Sequence, residues 1–131
     1  MKSSSQQSWS RLVGCRVLVL EDEFFLASDL EMALRAGGAE VVGPFAELQS
    51  ARDQVAQGGF DVAVLDIDLR GQATYVIADE LRSANIPFLF ATGYSQAAIP
   101  ARFHDIRLWQ KPYELDKLVE DITRLCRLAA A

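Results

Sequence analysis

Cysteine and histidine are nearly absent: the 131 residues hold two Cys, Cys15 and Cys126, and one His, His104. Two thiols are too few to staple a chain of this length into a disulfide scaffold, so both read as small core or near-core residues. His104 stands in an irregular stretch after Pro100; it reads as a surface residue and a poor phosphohistidine. Basic residues are in deficit, 13 Lys plus Arg against 18 Asp plus Glu, for a net charge of −5. That excludes a non-specific nucleic-acid binder, which needs cations to displace counterions from phosphates. Long apolar runs are missing too: the longest are of strand length, far below the roughly 20 residues of a membrane span. Met1 to Ser10 is polar throughout, with no apolar segment of the kind that marks a secretory signal or an anchor. The reading is a soluble cytoplasmic protein with a disordered leader over residues 1–14, including Trp9, and one domain over 15–131.

What is present fits a globular domain: 50% of the residues are hydrophobic and 24% charged, enough for a sizeable core. Cys15-Arg-Val-Leu-Val-Leu20 is a β-branched apolar run that stops at Glu21-Asp22-Glu23. Leu26, Leu30, Ala33 and Leu34 then recur at helical spacing up to Gly37-Gly38. Val41 to Phe45 is a second, ragged strand; Leu48, Ala51, Arg52 and Val55 mark a weaker helix closed by Gly58-Gly59. Asp61 to Leu65 is a third strand, followed by a loop with Gly71, Thr74 as N-cap and a helix bearing Val76, Ile77, Ala78 and Leu81. Pro87 to Ala91 is a fourth strand, Ser95 to about Arg102 a short helix interrupted by Pro100, and Ile106 to Gln110 a fifth strand. Leu115, Leu118, Val119, Ile122, Leu125 and Cys126 form one apolar stripe of a last helix. Five strands alternating with five helices predict an α/β fold with a parallel sheet. Val17 to Leu20 and Val62 to Leu65 are apolar at every position, as central strands covered on both faces require.

Ligands of open α/β sheets bind at the carboxyl ends of the strands. There the first strand delivers Glu21 and Asp22, the third Asp66, the fourth Thr92 and the fifth Lys111 before Pro112. Three carboxylates brought together repel one another, a conflict that a divalent cation removes. Mg²⁺ suits hard oxygen ligands beside a phosphate, and a set with no His or Cys excludes zinc. Asp66 is placed to act as a nucleophile toward phosphorus. Lys111 would neutralise phosphoryl oxygens, and the Thr92 hydroxyl would donate to one of them.

Val17-Leu-Val-Leu-Glu-Asp-Glu23, Asp61-Val-Ala-Val-Leu-Asp66, Phe90-Ala-Thr-Gly-Tyr94 and Lys111-Pro112 together resemble the receiver domain of bacterial two-component response regulators, from about Cys15 to Leu128. The resemblance implies a doubly wound (βα)5 flavodoxin-like three-layer sandwich with sheet order 2-1-3-4-5. It implies that Asp66 accepts a phosphoryl group, that Glu21, Asp22, Asp66 and the backbone carbonyl of Asp68 hold Mg²⁺, and that Thr92 and Lys111 sense the phosphate. The donor would be a sensor histidine kinase or a histidine phosphotransfer protein. Phosphorylation would bias the surface of the fourth helix, fifth strand and fifth helix toward a downstream protein, with no nucleic acid or membrane involved.

The chain departs from the family pattern at Leu69-Arg70, where a Met-Pro pair is usual, and at Leu108, where the rotating aromatic usually stands. Tyr94, two residues after Thr92, brings an aromatic switch candidate instead. Phe90 to Tyr94 resembles the FAT GUY subgroup of stand-alone receivers, associated with stress signalling through HWE or HisKA2-type kinases; Ser95 falls where that pattern has Tyr. Two alternatives stand beside this reading. Asp66-Ile-Asp68 also resembles the Asp-x-Asp signature of haloacid-dehalogenase-type phosphatases, with Asp66 as nucleophile and Asp68 as acid–base. The atypical Leu69-Arg70 loop and Leu108 also fit a binding module that needs no phosphate. On the leading reading the chain is no enzyme beyond its own phosphorylation and dephosphorylation.

Overall fold

The computed structural model describes residues 11–131; the leader residues 1–10, with Trp9, lie outside it. Five parallel strands form one sheet: β1 (Arg16–Leu20), β2 (Glu40–Phe45), β3 (Val62–Leu65), β4 (Phe88–Thr92) and β5 (Leu108–Gln110), in the order β2-β1-β3-β4-β5. Four α-helices accompany them: α1 (Phe24–Ala36), α2 (Leu48–Gln57), α3 (Tyr75–Ser83) and α4 (Leu115–Ala130). Every residue of β3 and β4 is buried, and in β1 only Arg16 is exposed. The uninterrupted apolar runs are thus explained by cover on both faces. Because alternate strand residues point to opposite faces, Val17 and Val19 join Val62, Val64, Leu89 and Ala91 in one core layer under α1 and α4. Leu18 and Leu20 join Ala63, Leu65 and Phe90 in the other, under α2 and α3.

The expected fourth helix does not form. In its place stand two short 3₁₀ turns, Gln96–Ala98 and Ala101–Phe103. Pro100 between them has no N–H to donate and a fixed φ, and the chain turns there to send Phe103 inward. Phe103 is fully buried, stacked on Tyr75 at 5.7 Å and edge-on to Phe90 at 5.8 Å. Its outer face carries the Arg102 guanidinium, 4.5 Å from the ring centre, and Arg102 in turn pairs with Asp79 of α3 at 3.0 Å.

Two further differences from the sequence reading have clear causes. Arg11 to Gly14, expected in the leader, form a turn whose Leu12 N–H donates to the Gly37 carbonyl at 3.0 Å and whose Leu12 side chain is 1% exposed; burying that side chain is worth about 2 kcal/mol. Cys15 and Cys126 are buried as expected, but they are joined in a disulfide across 111 residues with Cα atoms 5.9 Å apart. Folding brings the last turns of α4 beside the start of β1.

Candidate functional site at the carboxyl ends of the strands

β1, β3, β4 and β5 end on the same side of the sheet because they are parallel, and their last residues converge there. Glu21, Asp22 and Asp66 each offer a carboxylate oxygen within 4.8 Å of the others. Glu21 and Asp66 are buried, Asp22 half-buried. Lys111 reaches over from the end of β5 and binds all but one of the local carboxylates: its Nζ lies 2.8 Å from Asp66 Oδ2, 3.0 Å from both oxygens of Glu21 and 2.7 Å from Glu23 Oε2. Asp22 is held separately, accepting from the Arg70 backbone N–H at 2.9 Å.

The electrostatics follow from that packing. Burial pushes the Glu21 carboxyl up to about 7; the hydrogen bonds it accepts from the Glu23 N–H and Lys111 act against the rise, and the Asp66 charge adds to it. For Lys111, burial would lower the ammonium's pKa, but hydrogen bonds to Asp66, Glu23 and Glu21 together hold it above its ordinary value. Desolvation likewise raises the Tyr113 phenol to about 12, with the nearby Glu21 charge adding to it. The pocket therefore carries more negative charge than one ammonium offsets. Its donors are hard carboxylate oxygens without sulfur or imidazole, a set that fits Mg²⁺.

The loop after Asp66 is built as a small hairpin that the sequence reading missed. Asp68–Leu69 pairs antiparallel with Gln72–Ala73, and Arg70-Gly71 make the turn with φ of 51° and 85°. Left-handed backbone at two successive residues is the hairpin-turn requirement, here met by Arg in its first position. The Asp68 N–H donates to Asp66 Oδ1 at 3.2 Å, and the Arg70 guanidinium pairs with Glu47 at 2.8 Å. Thr74 does stand at the N-cap position of α3, but its hydroxyl makes no cap. It donates instead to the Asp66 carbonyl at 2.8 Å from a fully buried position, fixing the backbone of the central carboxylate.

Thr92 ends β4 fully buried, and its hydroxyl accepts from the Tyr94 N–H at 3.4 Å. Its carbonyl accepts the Lys111 N–H at 2.7 Å, so the two residues expected to sense phosphate are directly bonded through backbone. Tyr94 is 41% exposed and Leu108 is half-buried. Beyond the pocket, Asp121 of α4 is 6% exposed and accepts from Trp109 Nε1 (2.8 Å), Arg107 Nε (2.9 Å) and Arg124 Nε (2.8 Å). Burial alone would raise this carboxyl; the three donors outweigh it and leave Asp121 below its ordinary value. Asp121 thereby ties β5 to α4.

A doubly wound sheet with an acidic pocket, a lysine and a threonine at its carboxyl end has the architecture of a receiver, and the chain belongs to the response regulator receiver domains of two-component phosphorelay signalling. It is 35% identical to SdrG from Sphingomonas melonis Fr1, with a TM-score of 0.74 over 88% of this chain and 98% of that one. The BeF3-activated conformation of SdrG matches at 35% identity, with a TM-score of 0.69 over 84% of this chain and 95% of that one. The response regulator PhyR from Brucella abortus shares the fold, with a TM-score of 0.76 at 24% identity over 97% of this chain and 54% of that one. The sensory transduction protein LytT of Bacillus subtilis is 28% identical over 113 residues, 83% of this chain and 47% of its own length. The transcriptional regulatory protein PdtaR of Mycobacterium tuberculosis is 29% identical over 111 residues, 82% of this chain and 54% of its own. The chain thus spans about half the length of these curated relatives. No protein-family model matches it. Among the described residues no helix is long and apolar enough to cross a membrane.

Proposed function

We propose that Asp66 is the phosphoacceptor of a receiver domain over residues 15–131, with the Leu12 turn packed onto it. The observation that carries this reading is the contact of Lys111 Nζ with Asp66 Oδ2 at 2.8 Å inside the pocket of Glu21 and Asp22. An Asp66 oxygen bonds to phosphorus as the P–N bond of a donor phosphohistidine breaks, and the departing imidazole keeps the electron pair and takes a proton. Glu21, Asp22, Asp66 and the Asp68 carbonyl would hold Mg²⁺, which offsets charge on the phosphoryl oxygens. Lys111 stands ready to pair with a phosphoryl oxygen as it now pairs with the carboxylates, and the Thr92 hydroxyl to donate to another. Tyr94 and Leu108 then move with Thr92.

The donor is a sensor histidine kinase, of the HWE or HisKA2 type in keeping with the Phe90 to Tyr94 pattern, or a histidine phosphotransfer protein. The output is the face of the 3₁₀ turns, β5 and α4, whose affinity for a downstream protein must differ between the two states for the switch to work. The setting of this relay is the cytoplasm. Incubation with Mg²⁺ and acetyl phosphate is expected to attach one phosphoryl group per chain, released by alkali and by hydroxylamine as an acyl phosphate is. Label of equal yield in Asp66→Ala overturns the assignment.

A further inference from the structure

The Cys15–Cys126 disulfide lies at the end of the sheet opposite the carboxylates. Cys15 precedes β1 and Glu21 follows it, so the length of the strand, about 17 Å, separates the two. Both cysteines are buried at the rim of the core and keep a small exposed edge, 7% and 8%. They line a surface cavity of about 270 Å³ together with Arg11, Asp61 and Arg127. Asp61 is already neutralised by Arg16, whose guanidinium and backbone N–H it accepts at 2.8–3.2 Å. Arg11 and Arg127 make no ion pair among the described residues, so the mouth of the cavity is net positive.

We propose that Cys15–Cys126 is a reversible redox site, reached through this cavity by an anionic thiol of the glutathione class, that locks or releases the end of α4. The proposal rests in part on the phosphorelay reading, because a relay fed by ATP operates where thiols are held reduced and a persistent disulfide is unusual. A thiolate attacks one protein sulfur, forming a mixed disulfide and expelling the other cysteine as a thiolate that takes a proton. A second thiol attacks the mixed disulfide and frees the first cysteine. The protein gains two electrons and two protons, and two thiols leave as their disulfide. Exchange with oxidised thiol reverses the sequence. The two arginines attract the anionic reagent and favour the thiolate forms.

The consequence falls on the proposed output face. α4 is tied at its end to β1 by the disulfide and at its middle to β5 through Asp121. Opening the bond removes the tie that closes a loop of 111 residues, where cross-links restrict the unfolded chain most, and frees the last turns of α4 to fray.

The test equilibrates the full chain in buffers of increasing reduced-to-oxidised glutathione ratio, counts free thiols by alkylation and mass spectrometry, and follows hydrogen exchange and acetyl phosphate labelling. Expected are interconversion of the bonded and dithiol forms within the series, amide exchange in residues 122–131 faster by about tenfold when reduced, and equal labelling of Asp66 in both. The Cys15→Ser/Cys126→Ser double variant should exchange as the reduced form does. Thiols that stay free in oxidised glutathione, a bond that survives excess reduced glutathione, or unchanged exchange in α4 overturn the proposal. Arg11→Gln/Arg127→Gln should slow reduction by glutathione roughly threefold but not reduction by uncharged dithiothreitol; equal rates with glutathione overturn the role of the cavity. A protein that cycles yet takes no label upholds the redox site and overturns the phosphoacceptor assignment of Asp66.

Discussion

Replacing Glu21 with Gln tests the electrostatics of the pocket directly, because it keeps the side chain's shape and removes its charge, leaving one of the two oxygens that Lys111 now contacts. In the folded, cation-free protein the Glu21 carboxyl titrates near 7 rather than 4.5, chiefly because it is buried. At about 1.4 kcal/mol per pH unit, that interval amounts to roughly 3 kcal/mol. The folded state holds this proton more tightly than the unfolded state, so it binds more protons between the two values and stability falls as pH rises through them. The contribution is full below the ordinary carboxyl pKa and is gone above about 7. The amide oxygen of the variant would still accept from the Glu23 N–H, now 3.0 Å from Glu21 Oε2. In a chelating buffer, Glu21→Gln should match the parent within about 1 kcal/mol at pH 5 and exceed it by about 3 kcal/mol at pH 8, read from urea unfolding. Millimolar Mg²⁺ at pH 8 should shrink the advantage, since the parent then gains stability from the ion through a ligand that the variant lacks. A difference that is the same at both pH values refutes the assignment of the strain to ionised Glu21. An advantage indifferent to Mg²⁺ refutes its role as a ligand.

Asp121→Ala leaves three donors without their acceptor and should cost about 3 kcal/mol at neutral pH by chemical denaturation. Because the Asp121 pKa is lowered on folding, its stabilisation is present above the ordinary carboxyl pKa and fades as pH falls through the folded value, so the penalty should narrow in acid. Thr74→Val strips the Asp66 carbonyl of its buried donor and should cost about 1–2 kcal/mol; Thr74→Ser should recover most of it in the same measurement. Gly43→Ala would place a Cβ 2.8 Å from the Phe45 nitrogen and 2.9 Å from the Val19 carbonyl oxygen at φ 104°. A loss of more than about 2 kcal/mol is expected, and a melting temperature equal to the parent's would contradict the packing of β2 on β1.

The parts of this structure that were legible in the sequence are those with a local signature. β1 and β3 show as apolar runs because both their faces are covered, and α4 shows as one stripe because only one of its faces is. Glu21, Asp22, Asp66, Thr92 and Lys111 stand out because each is a polar residue at the end of such a run, and the parallel sheet gathers all such ends. What stayed hidden depends on residues far apart in the chain or on backbone too short to carry a period. Cys15 and Cys126 meet only once α4 has docked. The Asp68–Ala73 hairpin has two residues per strand and an Arg in a left-handed position, so neither alternation nor a glycine pair announces it. Gln96-Ala97-Ala98 reads as helix locally, yet Pro100 and the burial of Phe103 turn the segment away. Thr74 reads as a cap by its place, while its hydroxyl answers a carbonyl eight residues earlier.

The indole of Trp109 sits half-buried on the strand that leads into Lys111, with its N–H on a charged carboxylate of α4. Any displacement of β5 relative to α4 changes the field and the solvent around that ring. Once Trp9 is replaced by Phe, the protein carries a single tryptophan, at the joint between its chemistry and its proposed output. Its emission wavelength then becomes a clock for the switch, readable in stopped flow without any attached dye.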